Sequence, residues 1–220
     1  MRPPVLFRRV FSRRALHLPG TSESNLRFGS RNMKELSDKK VAIVIAPEFF
    51  RDEEYAQPHA SLNLAKADIT TVSRAVGKCY GSRGSVVHAR MTLEDAAKQD
   101  WDAVVFVGGA GSETYIDDPV AHALALRTNE RGKLVAAICK APCILAHAGL
   151  LRGAEATSFV DDQDDLRKHG VKVSTSPVVE TEVNGAPVIT ANGPQAAFAF
   201  GQALVNNLRG PYDPFGLSAF

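Results

Sequence analysis

The 220-residue sequence predicts one doubly wound, flavodoxin-like α/β domain with a mostly parallel sheet and helices on both faces. Short continuous apolar runs at 41–46, 102–107 and 134–138 are typical of strands that are covered on both faces. Helical segments alternate with these runs, and such alternation predicts parallel strands. A β-hairpin with an Asn184-Gly185 turn is predicted at 177–191, in the C-terminal half.

Local signals predict the remaining elements in chain order. Thr92 and Asp95 resemble a capping box for a helix that reaches residue 99, and Asp118-Pro119 is typical of the start of a helix. The other predicted elements are a helix at 53–67, strands at 68–73 and 86–90 with a turn at 77–85 between them, a helix at 141–148, a strand at 155–159, a short helix at 161–170 and a last helix from Gly193-Pro194.

Charge and composition exclude several function classes. Residues 1–32 hold seven arginines and one acid, so the rest of the chain is net negative and is not expected to bind nucleic acid. No apolar run approaches the ~18 residues that a membrane span needs, so no membrane partner is expected. Three cysteines are too few for a disulfide framework, which favours a reducing compartment.

The charge distribution also suggests domain boundaries. We assign 1–38 to a basic leader, disordered or targeting, 39–209 to the α/β domain and 210–220 to a C-terminal tail. The Arg-rich, acid-poor leader has the composition of a mitochondrial presequence. Alternatively, the protein starts at Met33 and residues 1–32 are a mis-assigned start. The expected location is therefore cytoplasmic or mitochondrial.

The segment LVAAICKAPCIL, 134–145, carries the main functional signal. A buried strand ends at Cys139 and a helix begins almost at once, which would expose the sulfur above the sheet as in a nucleophile elbow. The helix N-terminus and the adjacent Lys140 are expected to favour the thiolate. The alternative is that Cys139 packs as a small buried apolar residue.

Three motifs in order, DEEYAQP, VVFVGGAGSETY and AICKAPCILAHAGLL, resemble the ThiJ/PfpI family, which includes the Parkinson-associated protein deglycase. The family lies within the class I glutamine-amidotransferase-like superfamily. The resemblance spans about residues 39–209. It implies a reactive cysteine, a small-molecule aldehyde or oxidant as partner, no cofactor, and a homodimer or higher homo-oligomer.

The resemblance also implies site residues. Cys139 matches the elbow cysteine, and Glu54, four residues before Pro58, matches the acid that hydrogen-bonds this thiol. A carboxyl group enclosed beside a thiolate would have a raised pKa. The N–H groups of Gly109 and Lys140 would form an oxyanion hole.

Two positions depart from the hydrolytic members of the family. Lys140 replaces the histidine that follows the cysteine, and Phe159 stands where deglycase-like members carry a histidine. His59 is the first candidate for an accessory base among the other histidines. Cys143 is a second accessory candidate, as a thiol that resolves a Cys139 sulfenate, although burial in a helix is the simpler prediction.

Three function hypotheses follow. The first is a cofactor-independent enzyme of the glyoxalase or deglycase type, with Cys139 as nucleophile and Glu54 as proton carrier. The second is a redox sensor or chaperone-like stress protein that oxidises at Cys139. The third is a cysteine peptidase or amidase, which Lys140 disfavours because it supplies no base. No cluster with the spacing of metal ligands is evident, so no metal is expected.

Overall fold

The computed structural model describes residues 35–210, so the predictions for the leader before residue 35 and for the tail at 211–220 lie outside the described residues. The strands are β1 Lys40–Val44, β2 Glu48–Phe50, β3 Asp68–Ser73, β4 Gly77–Gly81, β5 Val86–Ala89, β6 Met91–Thr92, β7 Ala103–Phe106, β8 Leu134–Ile138, β9 Glu155–Ala156, β10 Lys172–Val173, β11 Val178–Val183 and β12 Ala186–Ala191. The α-helices are α1 Asp52–Leu64, α2 Leu93–Ala96, α3 Pro119–Glu130, α4 Pro142–His147, α5 Gln163–Lys168 and α6 Ala197–Arg209.

The central sheet has seven strands in the order β11-β12-β8-β7-β1-β3-β6. Its neighbouring strands are parallel except for the β11–β12 hairpin at one edge. At the turn of this hairpin, Asn184 and Gly185 have φ angles of 54° and 77°, which a two-residue type I′ turn requires. The predicted fold class and hairpin are confirmed.

Side chains alternate between two apolar layers along the central strands. In β1, Ala42 and Val44 face the layer formed with α2, α3, α4 and α5, whereas Val41 and Ile43 face the layer formed with α1 and α6. Strands β7 and β8 divide in the same way. Both faces are therefore buried, which explains why these strands are continuous apolar runs in the sequence.

The sheet order reverses between β1 and β7, because the chain first runs outward to β3 and then returns to β7 and β8 on the other side. The carboxyl ends of strands on either side of such a reversal border a crevice, where open α/β sheets bind their ligands. The segments after β1, β7 and β8 meet at this end of the sheet.

Local helix signals were predicted well, and one segment was predicted wrongly. Thr92 accepts a hydrogen bond from the Asp95 N–H at 3.1 Å, and Asp118 caps α3. The turn predicted at 77–85 is mostly strand, because β4 occupies 77–81 and pairs with β2 and β5 in a separate three-stranded sheet. The flanking glycines suggested a turn, whereas the buried Cys79 side chain anchors a strand.

The start of the domain lies earlier than the predicted residue 39. Leu36 is fully buried in the layer formed with α1 and α6, and its N–H donates to the Ala65 carbonyl at 2.8 Å. A leader ending at residue 38 therefore includes part of the core. Over residues 35–210, none of the helices combines the length and apolarity that crossing a membrane demands.

Candidate active site

Cys139 follows β8 directly and has a φ angle of 64°, in the left-handed region that a non-glycine residue enters at a cost of about 1–3 kcal/mol. Two long-range hydrogen bonds hold this backbone. The Cys139 N–H donates to the Ala191 carbonyl, and the Cys139 carbonyl accepts from the Phe159 N–H, both at 2.8 Å. The side chain remains partly exposed while Ala141, directly after the turn, is fully buried. This geometry is that of the predicted elbow.

Glu54 lies in the first turn of α1, and its side chain is fully buried at the crevice. The thiol of Cys139 and the N–H of Gly108 lie near enough to influence its pKa. Among the described residues, however, no group makes a hydrogen bond of good geometry to either carboxyl oxygen. A buried carboxylate without strong donors is costly, so this environment favours the neutral carboxylic acid.

The glycines after β7 let the chain pass close to both groups. A Cβ atom on Gly108 would lie 2.6 Å from a Glu54 carboxyl oxygen and 2.7 Å from the Cys139 Cβ. Gly109 has a φ angle of 98°, and a Cβ there would lie 2.6 Å from the Arg51 nitrogen. The loop therefore needs glycine at both positions to bring its backbone against the thiol and the acid.

Burial and the contact between the two groups determine their protonation. Burial raises the pKa of Glu54 to about 7. Burial, followed by the negative charge of an ionised Glu54, raises the pKa of Cys139 to about 12. A protonated Glu54 carries no such charge and can donate a hydrogen bond to sulfur. The Cys139 thiolate is thus opposed by an ionised Glu54 and stabilised by a protonated one.

Two backbone N–H groups lie near enough to the Cys139 thiol to influence its pKa. Those of Gly109 and Lys140 both lower the pKa of Cys139, against the larger effects of burial and Glu54. These are the two N–H groups that were predicted from the sequence to form an oxyanion hole. An oxygen bonded to the sulfur, or to a carbon attached to it, would lie within reach of the same donors.

The side chain of Lys140 does not act as the sequence suggested. Its ammonium group lies 3.2 Å from an Asp162 carboxyl oxygen, and this partner, against the effect of burial, raises the pKa of Lys140. The sequence predicts that the positive charge of Lys140 lies beside the sulfur, whereas in the structure this charge is paired with Asp162. The local contribution of Lys140 to Cys139 is its N–H group.

The accessory candidate His59 lies on a different face of α1 from Glu54. Five residues separate the two, which is roughly 140° around a helix. The His59 ring packs against Tyr55 at a centroid distance of 5.3 Å, and burial lowers its pKa. None of the five histidines within residues 35–210 hydrogen-bonds to Cys139 or Glu54.

The second accessory candidate, Cys143, is 1% exposed within α4. Burial, followed by the charges of Asp162 and Asp165, raises its pKa. The simpler prediction, a buried helix cysteine, describes this environment. Phe159, which stands at the position of the missing histidine, contributes its backbone N–H to Cys139 and leaves its ring 38% exposed.

Two features of the site region were not predicted from the sequence. Asp52 is buried and accepts hydrogen bonds from the N–H groups of Arg83 and Ser85 at 2.7 and 2.9 Å. It therefore ties α1 to the β4–β5 loop. His147, Asp165 and His169 converge and could hold a metal ion, although spacing suggested no metal site. The four-residue interval between Asp165 and His169 was the available signal.

Comparisons with known proteins identify the family and the fold. The family model described as "DJ-1/PfpI family" matches residues 39–207. The uncharacterized protein MJ0967 of Methanocaldococcus jannaschii is 35% identical over 76% of this chain and 82% of its own length. Deglycase PH1704 of Pyrococcus horikoshii is 32% identical over 64% of this chain and 84% of its own length. The ThiJ/PfpI domain protein of Brachyspira murdochii superposes with a TM-score of 0.72 at 27% identity, covering 81% of this chain and 99% of that one.

Proposed function

This chain belongs to the DJ-1/PfpI family, as its motifs predicted, and we propose that within this family it converts small reactive aldehydes through Cys139. The observation that carries the proposal is the elbow after β8, where the sulfur meets a buried Glu54 and two backbone N–H groups. The similarity to a protein named deglycase supports the same chemistry. A 2-oxoaldehyde such as methylglyoxal is the proposed substrate class.

The first proposed step is addition of the thiol to the aldehyde. The Cys139 sulfur forms a bond to the aldehyde carbon while its proton passes to the ionised form of Glu54, which a pKa of about 7 makes available at neutral pH. The carbonyl π bond opens onto oxygen, and the N–H groups of Gly109 and Lys140 stabilise the resulting oxyanion. That oxygen then takes the proton from Glu54 and gives a hemithioacetal.

The second proposed step is an internal oxidation and reduction. Glu54 removes the proton from the former aldehyde carbon, the proton of the hemithioacetal hydroxyl passes to the neighbouring ketone oxygen, and Glu54 returns its proton to the neighbouring carbon. The first carbon thereby becomes a thioester and the adjacent ketone becomes an alcohol. One carbon is oxidised and the other is reduced, hence the electrons balance without an outside oxidant. Water then cleaves the thioester, releasing the 2-hydroxy acid and the free Cys139 thiol.

Turnover of methylglyoxal to lactate tests this proposal. Cys139→Ala is expected to abolish turnover, whereas Cys143→Ser is expected to retain it because Cys143 lies away from the acid and the two N–H groups. Glu54→Gln is expected to reduce turnover by about 100-fold or more, in the range of general acid–base contributions. Equal turnover by wild type and Cys139→Ala would refute the proposal.

A redox function is the second candidate, and the two N–H groups that lower the pKa of Cys139 support it. Peroxide would oxidise the Cys139 thiolate to a sulfenate and be reduced to water, and a second equivalent would give the sulfinate. Protonated Glu54 and the N–H groups of Gly109 and Lys140 would hold the added oxygens. Intact mass after dilute peroxide tests this: one or two oxygens should be added to wild type and none to Cys139→Ala.

Peptide hydrolysis is the least supported of the three hypotheses. It needs a base that activates water and protonates a leaving amine. Lys140 is held by Asp162, and the histidines of the described residues make no hydrogen bond to Cys139 or Glu54. We expect negligible peptidase activity, and efficient cleavage that Cys139→Ala abolishes would contradict this expectation.

A further inference from the structure

A second cluster of reactive side chains lies behind the elbow, where the C-terminal end of α4 packs against α5. His147 is the last residue of α4, Asp165 lies in α5, and His169 follows α5 directly. A cleft of about 330 Å³ opens beside them, lined mainly by polar and acidic side chains that include Asp117, Lys140, Cys143 and Asp162. His147, Asp165 and His169 take no part in the proposed aldehyde chemistry.

Both ring nitrogens of His147 face a carboxylate. Its Nδ1 lies 2.7 Å from an Asp117 oxygen, and its Nε2 lies 2.9 Å from an Asp165 oxygen. A neutral imidazole has only one N–H, so one of the two contacts would set a nitrogen lone pair against a carboxylate. A proton or a metal cation at this second position is needed to make both contacts favourable.

His169 brings a second imidazole to the same carboxylate. Its ring stacks on that of His147 at a centroid distance of 4.0 Å. Its Nδ1 lies 3.6 Å from the second carboxyl oxygen of Asp165 and 2.9 Å from the Asp165 carbonyl. A single divalent ion would serve both imidazoles and the carboxylate at once.

The spacing of the ligand atoms fits a small transition-metal ion. One ligand atom from each of His147, Asp165 and His169 lies within 4.8 Å of the others. Bonds of about 2.0–2.1 Å in a tetrahedral zinc site separate ligand atoms by roughly 3.3 Å. One Asp165 oxygen lies 2.9 Å from His147 Nε2 and the other lies 3.6 Å from His169 Nδ1, so the carboxylate faces both rings.

We propose that His147, Asp165 and His169 form a binding site for a divalent transition metal ion, with Zn²⁺ as the best match to two imidazoles and one carboxylate. Asp117 accepts the other N–H of His147 and positions its ring, as carboxylates commonly do for metal-bound histidines. The ion joins the end of α4 to α5. This site is separate from Cys139 and Glu54, and it holds whether or not the proposed aldehyde chemistry is correct.

Calorimetric titration of Zn²⁺ into the metal-free full-length protein tests the proposal. Wild type is expected to bind one ion per chain, and His169→Gln and Asp165→Asn are each expected to bind at least about 100-fold more weakly, because each loses a ligand. Asp117→Asn is expected to bind Zn²⁺ about 10–100-fold more weakly, because Asp117 positions the His147 ring without contacting the ion. His88→Gln, an exposed histidine of β5, is the matched control and should bind as wild type does.

Cys139→Ser separates this site from metal binding at the reactive thiol, and it should leave Zn²⁺ affinity unchanged. A second measurement uses Co²⁺, whose visible absorption should be that of a four-coordinate ion in wild type and should be lost in His147→Gln. Zn²⁺ at hundredfold excess over Kd should raise Tm by roughly 5–10 °C in wild type but not in His169→Gln. Wild-type affinity in both ligand variants, or loss of binding only in Cys139→Ser, would overturn the proposal.

Discussion

Cys139 and Cys143 are one helical turn apart in the sequence, and each has a carboxyl group beside it, yet their environments differ. Cys139 is partly exposed at a left-handed turn, whereas Cys143 is buried within α4. The acid near Cys139 is Glu54, whose pKa burial raises to about 7. The acid near Cys143 is Asp165. Burial alone would raise the pKa of Asp165, but its contact with His147 lowers that pKa.

This difference shows that a nearby carboxyl group can have opposite effects on a thiol. Glu54 can hold a proton at neutral pH and donate it to a thiolate, whereas Asp165 stays ionised and repels one. Access to solvent adds to the contrast. Reactivity is therefore expected at the cysteine whose acid is protonated, and four predictions test this comparison.

The largest expected effect is on thiol labelling. At neutral pH, Cys139 should react with a small alkylating reagent roughly 100 times faster than Cys143 or faster, because a buried thiol reacts only when the structure opens. Peptide mapping after a time course measures both rates in one sample. Asp165→Asn should leave Cys143 slow, since burial remains, and fast labelling there would mean that charge rather than access protects it.

The second prediction concerns stability and the protonation of Glu54. Because the folded-state pKa of about 7 lies above the ordinary glutamate value of 4.5, the folded protein binds this proton more tightly than the unfolded chain. Stability is therefore lost as pH rises from 4.5 to 7, and Glu54→Gln avoids this loss. Between pH 4.5 and pH 7, the free energy of unfolding of wild type should therefore fall by about 3 kcal/mol relative to that of Glu54→Gln.

Denaturant titrations at a series of pH values measure this difference. Glu53→Gln is the matched control, because Glu53 is the preceding residue but pairs with Arg51 at 2.9 Å and is partly exposed. Its stability should follow the pH dependence of wild type. A wild-type curve parallel to that of Glu54→Gln would show that Glu54 is ionised throughout and that the comparison of the two acids fails.

The third prediction links the same acid to the rate of labelling. In wild type, ionisation of Glu54 above pH 7 opposes the thiolate, so the labelling rate of Cys139 should rise less steeply there. In Glu54→Gln the rise should continue at about tenfold per pH unit until the thiol titrates. The ratio of variant to wild-type rates should therefore be about ten times larger at pH 8 than at pH 6. A ratio that stays the same between pH 6 and pH 8 would show that ionisation of Glu54 does not affect the Cys139 thiolate.

The smallest expected effect is that of the Lys140 side chain. Because its ammonium group pairs with Asp162 and its N–H group, which the substitution keeps, is what lowers the pKa of Cys139, Lys140→Ala should change the labelling rate of Cys139 by less than about threefold. Lys140→His should behave similarly and fold normally, which melting curves can verify. A tenfold or greater fall in Lys140→Ala would restore the role that the sequence suggested for the charge.

Much of the fold follows from the sequence alone, because strand and helix signals are local. The apolar runs of β1, β7 and β8 reveal burial on both faces, and the Asn184-Gly185 pair specifies the hairpin turn. The change from strand to helix at Cys139 likewise gives the elbow without knowledge of any distant contact. Each of these signals lies within a few neighbouring residues, although in the structure two long-range hydrogen bonds also hold the Cys139 backbone.

The tertiary structure decided what the polar groups do. Glu54, Asp52 and Glu53 are consecutive acids at one helix start, and only packing against Gly108 and the β4–β5 loop gives them different roles. The partner of Lys140 lies 22 residues away, and His147 meets Asp165 across 18 residues. The pKa of a side chain depends on burial and on charges brought close by the fold, and neither is encoded in the residues beside it.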